Sequence, residues 1–313
     1  MKYGLKKFGA LLLTLLMVSM LAFLAFQVIP GDPTTKILGT EATEEARAAL
    51  RAELGLDGSV WERYLSWLTA FLRGDMGISY SYRMPVAQML GDKLPVTFLL
   101  SIMSFAMTVL VSIPLGLLAG SAKSKAADVA IASANQMVMS IPSFFIGILA
   151  MYIFGTVLRL FSTGNFVSWQ DNPAACMSYL VLPAASIAIP RIAMTVKMLR
   201  SSIQAELQKD YVRTARSRGA NRREILLRHV LKNAMMPVIT FLAVSAAEIM
   251  TGSIIIEQVF AIPGISRLLL ASISGRDFPV VQAIVVILAA WIVVINFLAD
   301  LMYHLVDPRV RLR

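Results

Sequence analysis

The segment between residues 203 and 224 contains the clearest local pattern of side chains with a chemical role. Apolar residues recur every fourth position of an otherwise charged stretch, at Ile203, Leu207, Tyr211 and Ala215. This spacing predicts an amphipathic helix, because residues four apart lie on the same helical face. Gly219 then offers the left-handed conformation that ends helices, and Asn221 with Glu224 forms a capping-box pattern for a second helix.

A basic helix, a glycine turn and a second helix occur in several kinds of binding segment. One kind docks on a cytoplasmic protein and passes movement to a membrane domain. Another lies on anionic lipid, and a third binds DNA as a helix-turn-helix. The second helix here continues through Leu226, Leu227 and Val230 into a long apolar stretch, which excludes DNA. Protein docking, lipid contact and a plain solvated basic loop all remain open from the residues alone.

Polar side chains inside apolar stretches form the second candidate site. Charges are costly within a bilayer, so they are functional candidates by default. Arg191 and Glu248 are two such charges, and a pair between them that faces a passage is one interpretation. The alternative is a structural pair, or an arginine that reaches the membrane interface. Asn135, Gln136 and Ser140 are further candidates for the passage, although hydrogen bonds between helices explain them equally well.

The remaining residue types argue against catalytic and metal chemistry. Cys176 is the single cysteine, which excludes an intrachain disulfide and a cysteine-based zinc or iron–sulfur site. His229 and His304 are the two histidines, too few for an imidazole-rich metal site. No Gly-x-x-x-x-Gly-Lys-[Ser/Thr] phosphate loop occurs, so we expect the chain not to hydrolyse ATP itself. We therefore expect no cofactor, no metal and no enzyme activity in this chain.

The overall composition requires a membrane environment. Of the 313 residues, 57% are hydrophobic and 15% are charged, against about 25% charged in an ordinary soluble domain. Six stretches are long and apolar enough to cross a bilayer as helices. They cover residues 8–29, 96–120, 129–158, 174–199, 234–256 and 280–301. We therefore predict an all-α integral membrane protein with six transmembrane helices in a single membrane domain, 1–313.

Lysine and arginine are concentrated in alternate connections between these stretches. The two ends of the chain, with 121–128 and 197–232, contain 18 basic and 5 acidic residues. The segments 30–95, 159–178 and 263–279 contain 10 basic and 11 acidic residues. Because cytoplasmic loops are enriched in lysine and arginine, both termini are predicted to be cytoplasmic. The first stretch has the basic start of a signal peptide, but its length favours an uncleaved membrane helix.

The predicted external segment, 30–95, is the longest connection. A helix is predicted from Thr43, a suitable N-cap, to Gly55, which would stop it. A second helix is predicted over 60–72, where apolar residues recur at helical spacing. A small cap on the membrane surface is one interpretation of this segment, and a specific docking surface is the other.

Residues 209–220, Lys-Asp-Tyr-Val-Arg-Thr-Ala-Arg-Ser-Arg-Gly-Ala, resemble the coupling loop of permease subunits in binding-protein-dependent ABC importers. The resemblance is strongest to the branch that imports dipeptides, oligopeptides and nickel, and it covers almost the whole chain. Its other motifs occur in order at 29–33, 74–80, 94–97, 140–144, 257–260, 263–264, 276–279 and 307–309. The long first external segment resembles that of the first of the two permeases in such systems.

The chain departs from the general loop pattern of that family. Arg213-Thr214-Ala215 stands where the pattern has Glu-Ala-Ala, whereas Gly219 and Leu231 are retained. His229 and Lys232 replace the isoleucine and proline that follow. The Arg-Thr-Ala version is typical of the peptide and nickel branch, and it puts in doubt the salt bridge that other branches make through the glutamate.

The resemblance implies a type I ABC importer permease in the bacterial inner membrane, forming half of a translocation pathway. The implied partners are a second homologous permease, two cytoplasmic ATPases that bind ATP and magnesium, an external solute-binding protein and the lipid bilayer, without nucleic acid. The coupling loop, 200–233, would dock on an ATPase, with Tyr211 and Ala215 in the buried contact and arginines orienting it. The residues implied in coupling are Asp210, Tyr211, Val212, Arg213, Thr214, Ala215, Arg216, Arg218 and Gly219.

The substrate implied by the resemblance is a di- or oligopeptide, with nickel or a nickel chelate as the alternative. In that case Arg191 and Glu248 would face charged peptide termini. A stand-alone secondary transporter or channel is the alternative from a different class. Such a protein is expected to contain inverted internal repeats with paired broken helices, and the sequence contains no such repeat.

Overall fold

The computed structural model describes residues 2–28, 33–39, 42–53, 57–121, 124–161 and 164–306. Within these ranges the regular elements are helices, with one isolated antiparallel bridge between Ile78 and Pro85. In chain order the helices are α1 (Lys2–Val28), α2 (Pro33–Leu38), α3 (Glu44–Glu53), α4 (Val60–Leu72), α5 (Val86–Gly91), α6 (Leu94–Gly120), α7 (Lys125–Met139), α8 (Ser143–Met151), α9 (Pro173–Leu207), α10 (Asp210–Ser217), α11 (Arg222–Glu224), α12 (Leu231–Val259), α13 (Ile265–Ser274) and α14 (Phe278–Val306). Two π-helical segments, Tyr152–Val157 and Ile225–Val230, follow α8 and α11.

Five helical stretches among the described residues are long and apolar enough to cross a membrane. They are Lys7–Phe26, Val86–Gly120, Pro173–Leu207, Arg222–Val259 and Phe278–Ala299. A sixth candidate consists of two helices, Asp128–Met139 and Ser143–Val157, which meet at 87°. If this bent pair is one span, the number is the predicted six. The side of the membrane on which the termini lie stays a prediction.

Pro142 accounts for the break in the predicted third span, 129–158. Its backbone is extended, with φ −61° and ψ 143°, and it forms the N-cap of α8. Proline has no N–H for the helical ladder, and its ring clashes with the preceding turn. Ser140 closes α7 by donating its hydroxyl to the carbonyls of Gln136 and Met137, at 3.0 and 2.8 Å. The span is therefore not one straight helix, and the interruption lies within the motif 140–144.

One compact unit of the structure comprises Val96–Ile262 with Ile295–Arg313. In this unit α6 approaches α9 closely enough to exclude any side chain at two glycines. A Cβ at Gly116 would lie 2.7 Å from Leu199, and one at Gly120 would lie 2.9 Å from Ile203. Leu199 and Ile203 are completely buried, so the two helices interlock at this seam.

The other compact unit comprises Met1–Pro95 with Pro263–Val294. Here α4 packs against α1, since the hydroxyls of Ser19 and Tyr64 lie 2.9 Å apart and the rings of Phe23 and Tyr64 meet edge to face. Ser59 and Glu62 form the capping box of α4, and these hydrogen bonds lower the pKa of Glu62. The helices α3 and α4 confirm the two predicted in the external segment, and the predicted stop at Gly55 lies outside the described residues.

Asp277 connects two distant parts of the chain within this second unit. Its buried carboxylate accepts the hydroxyl of Ser79 and the backbone N–H groups of Tyr80 and Ser81, the latter two at 3.0 and 3.1 Å. Burial, and then the negative charge of Asp277, raise the pKa of Tyr80. The carboxylate thereby fixes the turn at 79–81, which lies between α4 and α5, to the start of α14.

Replacing Gly120 with alanine tests the seam between α6 and α9. We expect Gly120→Ala to destabilise the protein by about 1–3 kcal/mol, because the added Cβ would lie 2.9 Å from the Cβ of Ile203. Thermal unfolding in detergent measures the change. Gly9→Ala on α1 is the matched control, because a Cβ there meets no atom within 4 Å. Equal melting temperatures for the two variants would contradict the packing described.

Replacing Asp277 with asparagine tests the connection to Ser79. The amide keeps only one oxygen acceptor for three donors, so we expect Asp277→Asn to destabilise the protein by about 1–3 kcal/mol. The exposed Asp92 provides the control variant Asp92→Asn, for which thermal unfolding should change little. A melting temperature for Asp277→Asn that matches the control would show that the buried bonds contribute nothing.

Candidate functional site

The predicted coupling loop folds as a helical hairpin, defined here as residues 206–224. The helix α9 continues to Leu207, beyond its predicted end at residue 199, and α10 begins three residues later at Asp210. After the turn at Gly219, a continuous helical run from Arg222 to Val259 includes the fifth span. The hairpin is thus joined at each end to a helix long enough to cross the membrane.

The apolar face of α10 points into the chain. Val212 is 1% exposed and belongs to a cluster with Leu199, Ile203 and Ile225, against which Tyr211 and Ala215 also pack. The predicted apolar stripe is therefore confirmed as an inward face. Tyr211 and Ala215 are half-buried against this cluster, so part of each side chain is in contact with the chain itself, and their predicted contact with a partner stays a prediction.

The outward face of the hairpin is charged, with arginine predominant. The side chains of Asp210 and Arg213 are 96% and 79% exposed. The other exposed residues of this face are Thr214, Arg216, Ser217, Arg218, Arg222 and Arg223. The coupling residues predicted from sequence thus divide between an inner set that holds the hairpin and an outer set that a partner can reach.

Gly219 forms the turn of the hairpin, as its position predicts. Its φ of +86° lies in the left-handed region, which costs other residues energy. The N–H of Ala220 donates to the carbonyl of Ala215 at 3.2 Å, closing the end of α10. Asn221 accepts the N–H of Glu224 at 2.9 Å, which is the first half of the predicted capping box. The carboxylate of Glu224 instead pairs with Arg228 at 3.1 Å.

Glu206 fixes α10 to the end of α9. One oxygen of its buried carboxylate accepts the Lys209 ammonium at 2.6 Å, and the other accepts the Tyr211 hydroxyl at 2.7 Å. The hydrogen bond to Glu206 raises the pKa of Lys209. Burial is the main cause of the raised pKa of Tyr211, and the bond to Glu206 contributes. Glu206 was not predicted; the acid–lysine spacing of three residues was the available signal.

Further polar contacts tie this end of the unit together. Arg222 donates to the carbonyl of Ser121 at the end of α6, at 2.5 Å. Arg200 on α9 pairs with Asp128 on α7 at 2.5 Å, and the Gln204 amide donates to the same carboxylate oxygen at 3.0 Å. The hairpin is therefore linked to α6 and α9, and α9 in turn to α7.

The residues predicted for a passage occupy several environments. Gln136 on α7 accepts the Lys197 ammonium at 3.2 Å, which joins α7 to α9. Asn135 lines an apolar cavity of about 430 Å³ between α6, α7 and α9, where its amide nitrogen has no partner. Among the described residues, the Ser140 hydroxyl bonds to carbonyls of α7, as described above. Arg191 and Glu248 lie on α9 and α12, and no ion pair within 4.0 Å joins these two described side chains.

Two family models match this chain. Residues 112–312 match the model described as binding-protein-dependent transport system inner membrane component. Residues 1–101 match the model of the N-terminal part of such membrane components.

Curated proteins of similar length are similar to the chain throughout. A protein named as a peptide transport system permease of Brucella abortus (strain 2308) is 36% identical over 98% of both chains. One named as a peptide ABC transporter permease of Sinorhizobium fredii is 34% identical over 99% of both. The glutathione transport system permease protein GsiC of Salmonella typhi is 33% identical over 99% of both.

Replacing Glu206 tests whether it holds the hairpin in place. We expect Glu206→Gln to speed tryptic cleavage after Arg213 and Arg216 about tenfold in the folded protein, since bonds to a charged acceptor contribute on the order of 1.5–3 kcal/mol. Glu224→Gln is the matched control, because it removes a carboxylate that pairs within its own helix. Cleavage at the same rate in both variants would contradict the assigned role.

Proposed function

Since the chain belongs to the family of binding-protein-dependent transport system inner membrane components, we propose that it forms half of the translocation pathway of an ATP-driven peptide importer. It is a multi-pass inner-membrane permease and not itself an enzyme. The single observation that carries the coupling role is the hairpin, whose arginine face points outward while its apolar face is held by the chain.

Peptides are the substrate class that the relatives favour. The proteins from Brucella and Sinorhizobium carry names for peptide transport, and GsiC carries the name of glutathione, itself a tripeptide. The family motifs at 74–80 and 276–279 point to the same branch, and both lie in the unit that contains Asp277. Nickel, the alternative from the sequence, has no support among these relatives.

A permease of this family works with ATPase subunits and a solute-binding protein. In our proposal the complex contains a second homologous permease and two ATPases, which bind the ATP and magnesium. The hairpin docks in a cleft of one ATPase, and the outward arginines require that this cleft be acidic. Binding should therefore weaken as the salt concentration rises.

The orientation of α10 favours protein docking over lipid contact. An amphipathic helix that lies on a membrane must turn its apolar face outward into the lipid. Here Tyr211, Val212 and Ala215 face the chain's own core, and the exposed side chains are charged or hydroxylic. Anionic lipid would thus meet arginines without an apolar face to insert, whereas an acidic cleft satisfies the arginines directly.

Movement of the ATPases reaches the pathway through the two ends of the hairpin. At one end Glu206 connects α10 to α9, and at the other the run from Arg222 continues into α12. A displacement of the hairpin therefore moves both helices together as a rigid body, which is how nucleotide-driven closure would open the pathway outward.

The turn at Gly219 tests the coupling. We expect Gly219→Val to lower peptide uptake by the reconstituted complex at least about tenfold, because a β-branched residue is strained at φ +86° and displaces the arginine face. Uptake, ATP hydrolysis and co-purification of the ATPases in detergent are measured together. Gly219→Asn is the control, since asparagine tolerates the left-handed region, and it should retain most of the uptake.

The outcomes separate the parts of the proposal. Normal uptake by Gly219→Val would overturn coupling through the hairpin. A chain that transports alone, with no ATPase bound, would overturn the importer itself. Retention of the hairpin by anionic vesicles, without any ATPase contact, would favour the lipid alternative.

A further inference from the structure

One face of α12 exposes a charged residue at the depth of the membrane interior. Glu248 is exposed in this chain, between the exposed Val244 and Ile255 on the same helix. It lies 11 residues before the end of α12 at Val259 and 17 after its start, so about 16 Å of helix separates it from the nearer end. An exposed carboxylate is therefore placed well inside the longest apolar run of this helix.

Lipid does not suit this face of the molecule. Charged side chains inside membrane segments face the interior of a bundle or a water-filled cavity, because hydrocarbon does not solvate them. The strip through Glu248 therefore faces either a partner protein or an aqueous passage. In a permease that forms half of a pathway, we take the exposed carboxylate of Glu248 to face the passage, so this step rests on the proposed function.

Arg191 extends from α9 to the same face. Its Nη1 donates to the carbonyl of Ile187 at 3.2 Å, and a Cβ added at Gly252 would lie 3.4 Å from its Nη2. Gly252 follows Glu248 by one turn of α12, so the guanidinium reaches the helix that carries the carboxylate.

The guanidinium is not saturated by hydrogen bonds from the described residues, since the one that the structure shows runs from Nη1 to Ile187. Its Nε is buried without a hydrogen-bond partner, and no carboxylate lies within ion-pair distance among the described residues. Arginine is the side chain best suited to a planar carboxylate, which it binds through two parallel N–H groups. The negative charge of Glu248 nearby repels a simple anion, but a ligand that carries both a carboxylate and a positive charge is compatible with it.

From this arrangement we infer that Arg191 binds the C-terminal carboxylate of a zwitterionic peptide during its passage. Glu248 faces the same space and complements the ammonium groups of the peptide. The site is a transient one in the membrane interior, distinct from the selection made by the solute-binding protein.

The experiment compares two peptides that differ only at the C-terminus, one a free carboxylate and the other a carboxamide. The complete importer is reconstituted in proteoliposomes, and each peptide is supplied at saturation of the solute-binding protein, whose affinities are measured separately. The readout is the ratio of carboxylate to carboxamide transport per ATP hydrolysed. We expect this ratio to exceed one for the wild type and to fall roughly tenfold in Arg191→Met.

Two further variants distinguish binding from structure. Arg191→Lys keeps the charge and should retain part of the preference for the carboxylate. Lys197→Met removes a different cation from the same helix, one that bonds to Gln136, and should leave the ratio unchanged even if the rate falls.

The outcomes divide as follows. Equal losses for both peptides in Arg191→Met, or no loss for either, would overturn the assignment of the carboxylate site. A ratio of one in the wild type would do the same. If the wild-type complex transports neither peptide, the proposed function fails instead. If Arg191→Met does not assemble, Arg191→Lys decides the question. A carboxylate-to-carboxamide ratio in Arg191→Lys equal to that of the wild type would show that the guanidinium is not needed, and it would overturn the inference.

Discussion

The close approach of α6 to α9 at Gly116 and Gly120 is the constraint on which the rest of the larger unit depends. Because no side chain separates the helices there, Leu199 and Ile203 lie against the backbone of α6 and are fully buried. Ile203 is also the first residue of the stripe that continues into α10. The seam between α6 and α9 and the inward face of α10 are therefore one continuous packing surface, and the position of the arginine face follows from it.

The hairpin gains its rigidity from polar contacts at its two ends rather than from helical propensity. A helix of eight residues is too short to be stable alone in water. Glu206 at one end and the bond from Arg222 to Ser121 at the other restrain it. In this chain Arg213 stands where the general family pattern has a glutamate, and the carboxylate that anchors α10 comes from Glu206, on the preceding helix.

The length of the apolar stretches was sufficient to predict the long helices apart from the 87° bend in the third, and local patterns predicted the two helices of the external segment and the turn at Gly219. These depend on local rules, namely apolar spacing, capping residues and the conformational freedom of glycine. The direction of the apolar face of α10 was not predictable, since it depends on whether Tyr211 and Ala215 pack against the chain's own residues. Glu206 and Asp277 were also missed as anchors: the spacing to Lys209 was a signal for Glu206, but its bond to Tyr211 on α10 and the bond of Asp277 to a serine 198 positions away were not predictable.

The bond between Asp277 and the turn at Ser79 limits how segments of related chains can be recombined. Ser79–Ser81 lies in the stretch matched by the N-terminal family model, and Asp277 in the stretch matched by the other. The donors and the acceptor of these hydrogen bonds thus lie on opposite sides of the boundary between the two family matches. The N-terminal region is consequently not an independent cassette: a recombinant that takes residues 1–101 from one relative and the remainder from another keeps this junction only when both parents supply their half of it.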